Sequence, residues 1–211
     1  MNAERTWVLQ ARQGNQRAFA KLVEAYQGPV YNLAYRMLGN AGDAEDAAQE
    51  TFLRAYSHLG SYDPKRKFSS WLLAIASNYC IDQLRRRRIN WVSVEELPPW
   101  QPLRAQTPDP EQSAIRWSDG EQIQAMLDTL PPDYRLAVVL RYWYDYSYQD
   151  IAAVTNSTVS AVKSRLHRAR RMLAEAMEGA SHLERAEPPG TRNPSPRKGE
   201  LMQCVVQMPV S

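Results

Sequence analysis

The sequence predicts an all-α protein, two small helical domains joined by a flexible Pro-rich linker, the C-terminal one a helix-turn-helix. Three observations predict it. Apolar residues recur at steps of three and four along most of the chain, and no alternating Val/Ile/Thr run argues for a sheet. Pro98, Pro99, Pro102, Pro108 and Pro110 interrupt any helix in the middle, which separates helical residues 1–92 from 114–178. Ser147 to Leu173, SYQDIAAVTNSTVSAVKSRLHRARRML, reads as a short helix, a tight polar turn and a longer basic helix.

Each element has its own signal. Phe19, Leu22, Val23 and Tyr26 form one amphipathic stripe. A break is predicted at Gly28-Pro29, after which Val30, Leu33, Ala34, Met37 and Leu38 form the next stripe. Gly39, Asn40 and Gly42 punctuate, and Asp43 caps a helix running through AEDAAQETFLRAYSHL. Residues 60–67, GSYDPKRK, form a turn-rich loop around Pro64. A helix runs from Phe68 to about Arg88, with Trp71, Leu72, Ile75, Tyr79 and Leu84 on its apolar side. Residues 93–113 form the linker, and pattern returns with Ile115, Ile123, Met126, Leu127 and Leu130 before the Pro131-Pro132 turn. The helix DYRLAVVLRYWY leads into the helix-turn-helix, and the tail 179–211 reads as disordered, its last apolar stretch LMQCVVQMPVS a short strand or docking segment.

Within the helix-turn-helix, Ser147 is the N-cap of the first helix and Ile151, Ala152 and Val154 its apolar side. Thr155, Asn156 and Ser157 make the turn, and Ser157 or Thr158 caps the next helix. Val159, Val162, Leu166, Ala169 and Leu173 share one buried stripe there. The other faces carry Ser160, Lys163, Ser164, Arg165, His167, Arg168, Arg170 and Arg171, with no acid among them. Solvated surface helices usually mix charge signs to gain pairs one turn apart. A face that is only cationic suits a phosphate-lined major groove.

Composition narrows the class. The net charge of +3 is mild but unevenly placed, near +5 over residues 1–92, −3 over 93–114 and balanced over 115–179. That pattern suits two nucleic-acid surfaces joined by an acidic spacer. Cys80 and Cys204 lie far apart without metal-ligand spacing, so Cys80 reads as a small core residue, a structural disulfide is not expected, and a reducing cytoplasmic setting is. His58, His167 and His182 have no carboxylate or cysteine at ligand spacing, and no P-loop, HExxH or GxSxG occurs, so neither metal, cofactor nor enzymatic activity is expected. No stretch approaches the ~20 apolar residues of a membrane span, and the N-terminus lacks a secretion-signal layout.

The loop and helix from Ser61 to Arg88 combine aromatic faces (Tyr62, Phe68, Trp71, Tyr79) with cations (Lys65, Arg66, Lys67, then Arg85, Arg86, Arg87 and Arg88). Stacking platforms beside a cationic track are what single-stranded DNA binding needs. On the alternative reading Trp71 and Tyr79 are core and the arginine run is a solvated helix end, and for Trp71 that reading stands at least level. Asp43, Glu45, Asp46 and Glu50 form an acidic first turn, which helix capping alone explains.

Three runs occur in order: DAEDAAQETFLRAY, FSSWLLAIASNYCIDQLRRRR, and LPPDYRLAVVLRYWYDYSYQDIAAVTNSTVSAVKSRLHRARRML. Together they resemble a bacterial RNA polymerase sigma factor of the compact extracytoplasmic-function (ECF) type, across about residues 5–92 and 115–177. The resemblance implies a promoter-specificity subunit that directs initiation at −10/−35 promoters of a stress or envelope regulon. It implies a region-2 domain (1–92) that docks on the clamp helices of the polymerase largest subunit through Asp46, Gln49, Glu50 and Arg54. Tyr62 to Phe68, with Trp71 and Asn78, then melt and read the −10 element by capturing a flipped base, and Arg85 to Arg88 hold upstream phosphates. In the region-4 domain (114–178), Lys163, Ser164, His167 and Arg168 meet the −35 element beside Ser160, while Arg165 and Arg170 hold backbone. Implied partners are core polymerase, including its flap region, promoter DNA, and an anti-sigma protein wedged between the two domains.

Three features depart from the family pattern. His167 stands where an aromatic or aliphatic residue is common, the turn TNS lacks the frequent glycine, and the tail after Gly179 exceeds the minimal architecture. Asn156 replaces the glycine because asparagine tolerates positive φ. The alternatives are a stand-alone helix-turn-helix regulator, which predicts a dimer on two half-sites, and a single-stranded nucleic-acid chaperone, which leaves the second domain unexplained.

Overall fold

The computed structural model describes residues 3–92 and 119–185, with side chains over 3–87 and 120–177. The linker, the Arg88 and His182 side chains, Ile115, Cys204 and the tail beyond Arg185 lie outside the described residues. All regular structure among the described residues is helical.

The first half consists of α1 (Ala3–Arg12), α2 (Gln16–Leu38), α3 (Ala41–His58), a 3₁₀ turn (Leu59–Ser61) and α4 (Phe68–Val92). Asn15 caps α2 by accepting from the Ala18 amide at 3.1 Å. Asn40, not the expected Asp43, caps α3 by accepting from the Asp43 amide at 2.8 Å, which places Asp43 inside the first turn. Between them Gly39 turns the chain at φ +82°, a left-handed conformation that ends α2. Contrary to the expected break at Gly28-Pro29, α2 runs unbroken through Pro29. Proline removes one backbone donor, but Leu22, Val30, Leu33, Ala34 and Met37 on the same helix are fully buried, and that burial holds the helix together.

In α4 the innermost residues are Phe68, Leu72, Leu73, Ala76, Cys80 and Ile81. The stripe is thus rotated from the one expected, and Trp71, Ile75, Tyr79 and Leu84 are only half-buried. Packing explains the difference: α4 touches α2 and α3 but also two helices of the second half, so apolar residues are needed on more than one side. Burial pushes the Cys80 thiol up to about 12, which suits an inert core residue.

The second half consists of α5 (Asp119–Asp128), α6 (Pro132–Tyr142), α7 (Tyr148–Val154) and α8 (Val159–Arg185). Pro132 starts α6, where a missing N–H costs nothing. Leu136, Val138, Val139 and Leu140 of α6 pack with Ile151, Val162 and Leu166. Helix α8 continues past the expected end at 178 to Arg185. The two halves touch directly, through α2 with α5 and α6, and α4 with α6 and α7. No described helix is long and apolar enough to cross a membrane.

Candidate nucleic-acid interface

The helix-turn-helix is built by local hydrogen bonds. The Asp150 amide donates to Ser147 Oγ at 3.1 Å, and the Asp150 carboxylate accepts from the Ser147 amide at 3.2 Å and hydroxyl at 2.6 Å. This capping box fixes the start of α7. Thr155 Oγ1 donates to the Ile151 carbonyl at 2.8 Å, and Asn156 takes the turn at φ +46°, the role its sequence position predicts. Thr158 Oγ1, accepting from the Ala161 amide at 3.1 Å, then starts α8. Val162, Leu166 and Ala169 are buried, with Val159 and Leu173 half-buried beside them.

That burial sets the rotation of α8. Ser160, Lys163, Ser164, His167, Arg168 and Arg170 face solvent, and Arg165 is half-buried. Among the described residues Lys163, Arg165, Arg168 and Arg170 form no ion pair, whereas Arg171 pairs with Glu175 at 3.3 Å. The arrangement is a rigid cationic ridge without internal neutralisation, which favours a polyanion.

The Ser147 hydroxyl, its amide and Lys67 hold the Asp150 carboxyl below the usual carboxylate range. A lowered folded pKa means stability that is present above the unfolded value of about 3.9 and lost as pH falls through the folded one. Ser147→Ala should cost about 1 kcal/mol near neutral pH. Measured by thermal unfolding, the gap to the parent should narrow below about pH 4, because protonation weakens the same bonds in the parent.

In the first half the aromatic residues divide. Tyr62 is 5% and Phe68 2% exposed. Phe68 meets Tyr26, Tyr62 and Trp71 with ring centroids 5.4, 5.6 and 5.6 Å away, and the Tyr62 hydroxyl donates to the Arg66 carbonyl. Buried faces offer no platform to a base, so the expected stacking by Tyr62 and Phe68 gives way here to buttressing of the loop. Trp71 and Tyr79 are half-buried, while Lys65, Arg66, Lys67, Asn78, Arg85 and Arg86 are exposed. Arg87 is engaged elsewhere: it pairs with Asp43 and donates to the Leu38 carbonyl at 3.4 Å, tying the α2–α3 corner to α4 rather than standing free for phosphate. The Asn40 side chain and Arg87 hold the Asp43 carboxyl below its usual range. A cavity of about 260 Å³ opens beside the loop, lined by Glu4, Arg5, Val8, Tyr62, Pro64 and Arg66 among others.

On α3, Asp46 and Gln49 are exposed, and Glu50 pairs with Arg54 at 2.7 Å while Arg54 lies over the Tyr79 ring at 5.1 Å. Sequence reasoning missed their apolar neighbours. Leu53 is 67% and Tyr56 45% exposed, and with Phe19, Val23 and Phe52 they line a groove of about 530 Å³. The signal was legible, since Phe52, Leu53 and Tyr56 lie off the Ala44–Ala47–Thr51–Ala55 stripe that α3 buries.

Comparison with known proteins agrees with this geometry. Residues 22–89 match the Sigma-70 region 2 family and residues 120–173 the Sigma-70 region 4 family. The chain is 37% identical over 176 residues to the ECF RNA polymerase sigma factor SigW of Bacillus subtilis (strain 168), covering 81% of this chain and 94% of that one. It is 32% identical over 177 residues to the RNA polymerase sigma-H factor of Pseudomonas aeruginosa (strain PAO1), covering 81% and 92%. In fold it is similar to CnrH, solved in complex with the cytosolic domain of CnrY, with a TM-score of 0.62, 29% identity, and coverage of 84% of this chain and 99% of that one. Two helical domains in this order, the second a helix-turn-helix, define a promoter-specificity subunit of bacterial RNA polymerase. The chain belongs to the ECF sigma factors. The stand-alone regulator is not favoured, because the match extends over both domains.

Proposed function

We propose that the two halves divide promoter recognition, with α8 reading the −35 element and the loop 62–67 and α4 opening and reading the −10 element. The observation that carries this reading is the unpaired cationic face of α8, held outward by a buried stripe and a capped α7. Lys163, Ser164, His167 and Arg168, with Ser160, face the bases, and Arg165 and Arg170 the backbone. Lys65, Arg66, Lys67, Arg85 and Arg86 track phosphates, Asn78 reads an unstacked base, and the cavity beside Tyr62 receives a flipped one. The test is transcription by core polymerase on a genomic fragment library: promoter-dependent transcripts are expected, and their absence without any complex with core would end the proposal.

Asp46, Gln49, Glu50 and Arg54 dock on the clamp helices of the polymerase largest subunit, around an apolar centre at Leu53 and Tyr56, and the second half meets the flap region. Apolar anchors inside a polar rim are the usual anatomy of a protein interface. Leu53→Glu should weaken core binding at least tenfold in a direct binding assay while leaving unfolding unchanged, because Leu53 is already mostly in water. The protein acts in the cytoplasm without covalent chemistry of its own. An anti-sigma partner holds it inactive; since the two halves already touch, a wedged partner must first part them.

A further inference from the structure

The last turn of α2 leaves carbonyls that the helix cannot satisfy itself. Arg87 of the first half reaches the Leu38 carbonyl at 3.4 Å. The other two are satisfied across the chain: Gln124 of α5 donates to the Arg36 carbonyl at 3.3 Å, and Arg135 of α6 to the Met37 carbonyl at 2.6 Å. Arg135 is 6% exposed and also donates to Asp128 at 2.7 Å, while its Nε has no partner. Burial pulls its charge toward neutrality and Asp128 opposes that. The α2 C-terminus supplies the negative end of a helix dipole on the other side. Asp128 lies in the same half as Arg135, so the part of its compensation that depends on closure is the Met37 carbonyl and the α2 terminus.

Further contacts close the same seam. The Arg36 guanidinium lies over the Trp143 ring at 4.8 Å, the Tyr144 hydroxyl donates to the Pro29 carbonyl, and Lys67 meets Asp150 at 3.5 Å. The last pair joins the end of the proposed −10 loop to the capping box of the helix-turn-helix. Elements near −10 and −35 lie about 25 base pairs apart, roughly 85 Å along the duplex at ~3.4 Å per step. Two touching domains of about 30 Å each reach only about 60 Å. The closed arrangement is therefore not the one that reads both elements.

We infer that Arg135, seated between the C-terminus of α2 and Asp128, is a latch that holds the two domains in a self-closed, promoter-incompetent state. This inference rests on the divided-recognition reading above for its consequence, though not for the latch itself. The latch is polar, so on opening, water replaces its hydrogen bonds at modest net cost, as a reversible closure requires. No second protein is needed to hold the closed state.

The test is energy transfer between dyes on the full-length chain carrying Ser57→Cys, Ala174→Cys and Cys204→Ser; Cys80 is buried and stays unlabelled. The parent should show a dominant high-transfer population. Arg135→Gln should raise the ratio of open to closed molecules at least about tenfold, the equivalent of one lost charged hydrogen bond. Arg36→Ala, which frees Trp143 from the α2 side, should raise it several-fold with unchanged helical circular dichroism, and it decides the matter if Arg135→Gln does not fold. A low-transfer parent, or unchanged transfer in natively helical variants, overturns the latch. Neither polymerase nor DNA is present, so the promoter assignments fail separately, if Lys163→Ala with Arg168→Ala leaves transcription intact.

Discussion

Lys163→Ala combined with Arg168→Ala is expected to lower transcription from a promoter that depends on its −35 element about 100-fold. Each contact to a base edge is worth about 1–3 kcal/mol, and two of about 1.4 kcal/mol each multiply to that factor. Both side chains are exposed, so their truncation creates no cavity, and alanine is the best helix former at each position. Thermal unfolding should therefore match the parent. Binding to core polymerase through the clamp helices should also match, because that proposed docking face lies on α3, in the other half of the chain. If one of the two cations meets phosphate rather than a base, the slope of log affinity against log salt should fall by about one. Arg171→Ala serves as a control, since Arg171 already pairs with Glu175. Loss of core binding together with transcription would sink the role assignment, as would no loss of either.

The legible parts of this protein are those set by neighbours in sequence. The capping box of Ser147 and Asp150, the turn at Asn156 and the outward face of α8 all follow from spacing within a few residues, and the structure has them where expected. Misreadings arise where distant segments decide. A Gly-Pro pair is a fair local stop signal, but Pro29 lies on a helix whose buried stripe spans both sides of it. Tyr62 and Phe68 have the composition of a stacking platform, and only the approach of Tyr26 and Trp71 shows them to be interior. Arg135 looks like one more surface cation in PDYRLAVV; its burial depends on the C-terminus of α2, 98 residues away in sequence.

That same contact links the domains in a way neither half encodes alone. Arg36, Lys67, Arg135 and Asp150 each find a partner across the seam. Polar seams of this kind separate more readily than a hydrophobic core, because water substitutes for their bonds. The apolar groove around Leu53 stays open in the closed state, so the docking proposed there does not require the halves to part.

Phe68→Ala is expected to destabilise the protein by about 3–5 kcal/mol, the usual cost of emptying a buried phenylalanine site. For a chain of this length that lowers the melting temperature by roughly 10 °C, readable by circular dichroism. The ring is 2% exposed and supports Tyr62, whose hydroxyl ties the loop to the Arg66 carbonyl, so the cations at 65–67 should lose their fixed placement as well. Below the melting transition, transcription from a duplex promoter should fall further than from one already unpaired at −10, because a loosened loop penalises strand opening most. Phe68→Leu separates the two roles the aromatic ring has been given. Leucine retains most of the buried volume and should cost about 1–1.5 kcal/mol, with opening close to the parent's. Were Phe68 instead a stacking platform for a melted base, leucine would abolish opening as completely as alanine, since stacking needs the ring and packing needs only its bulk.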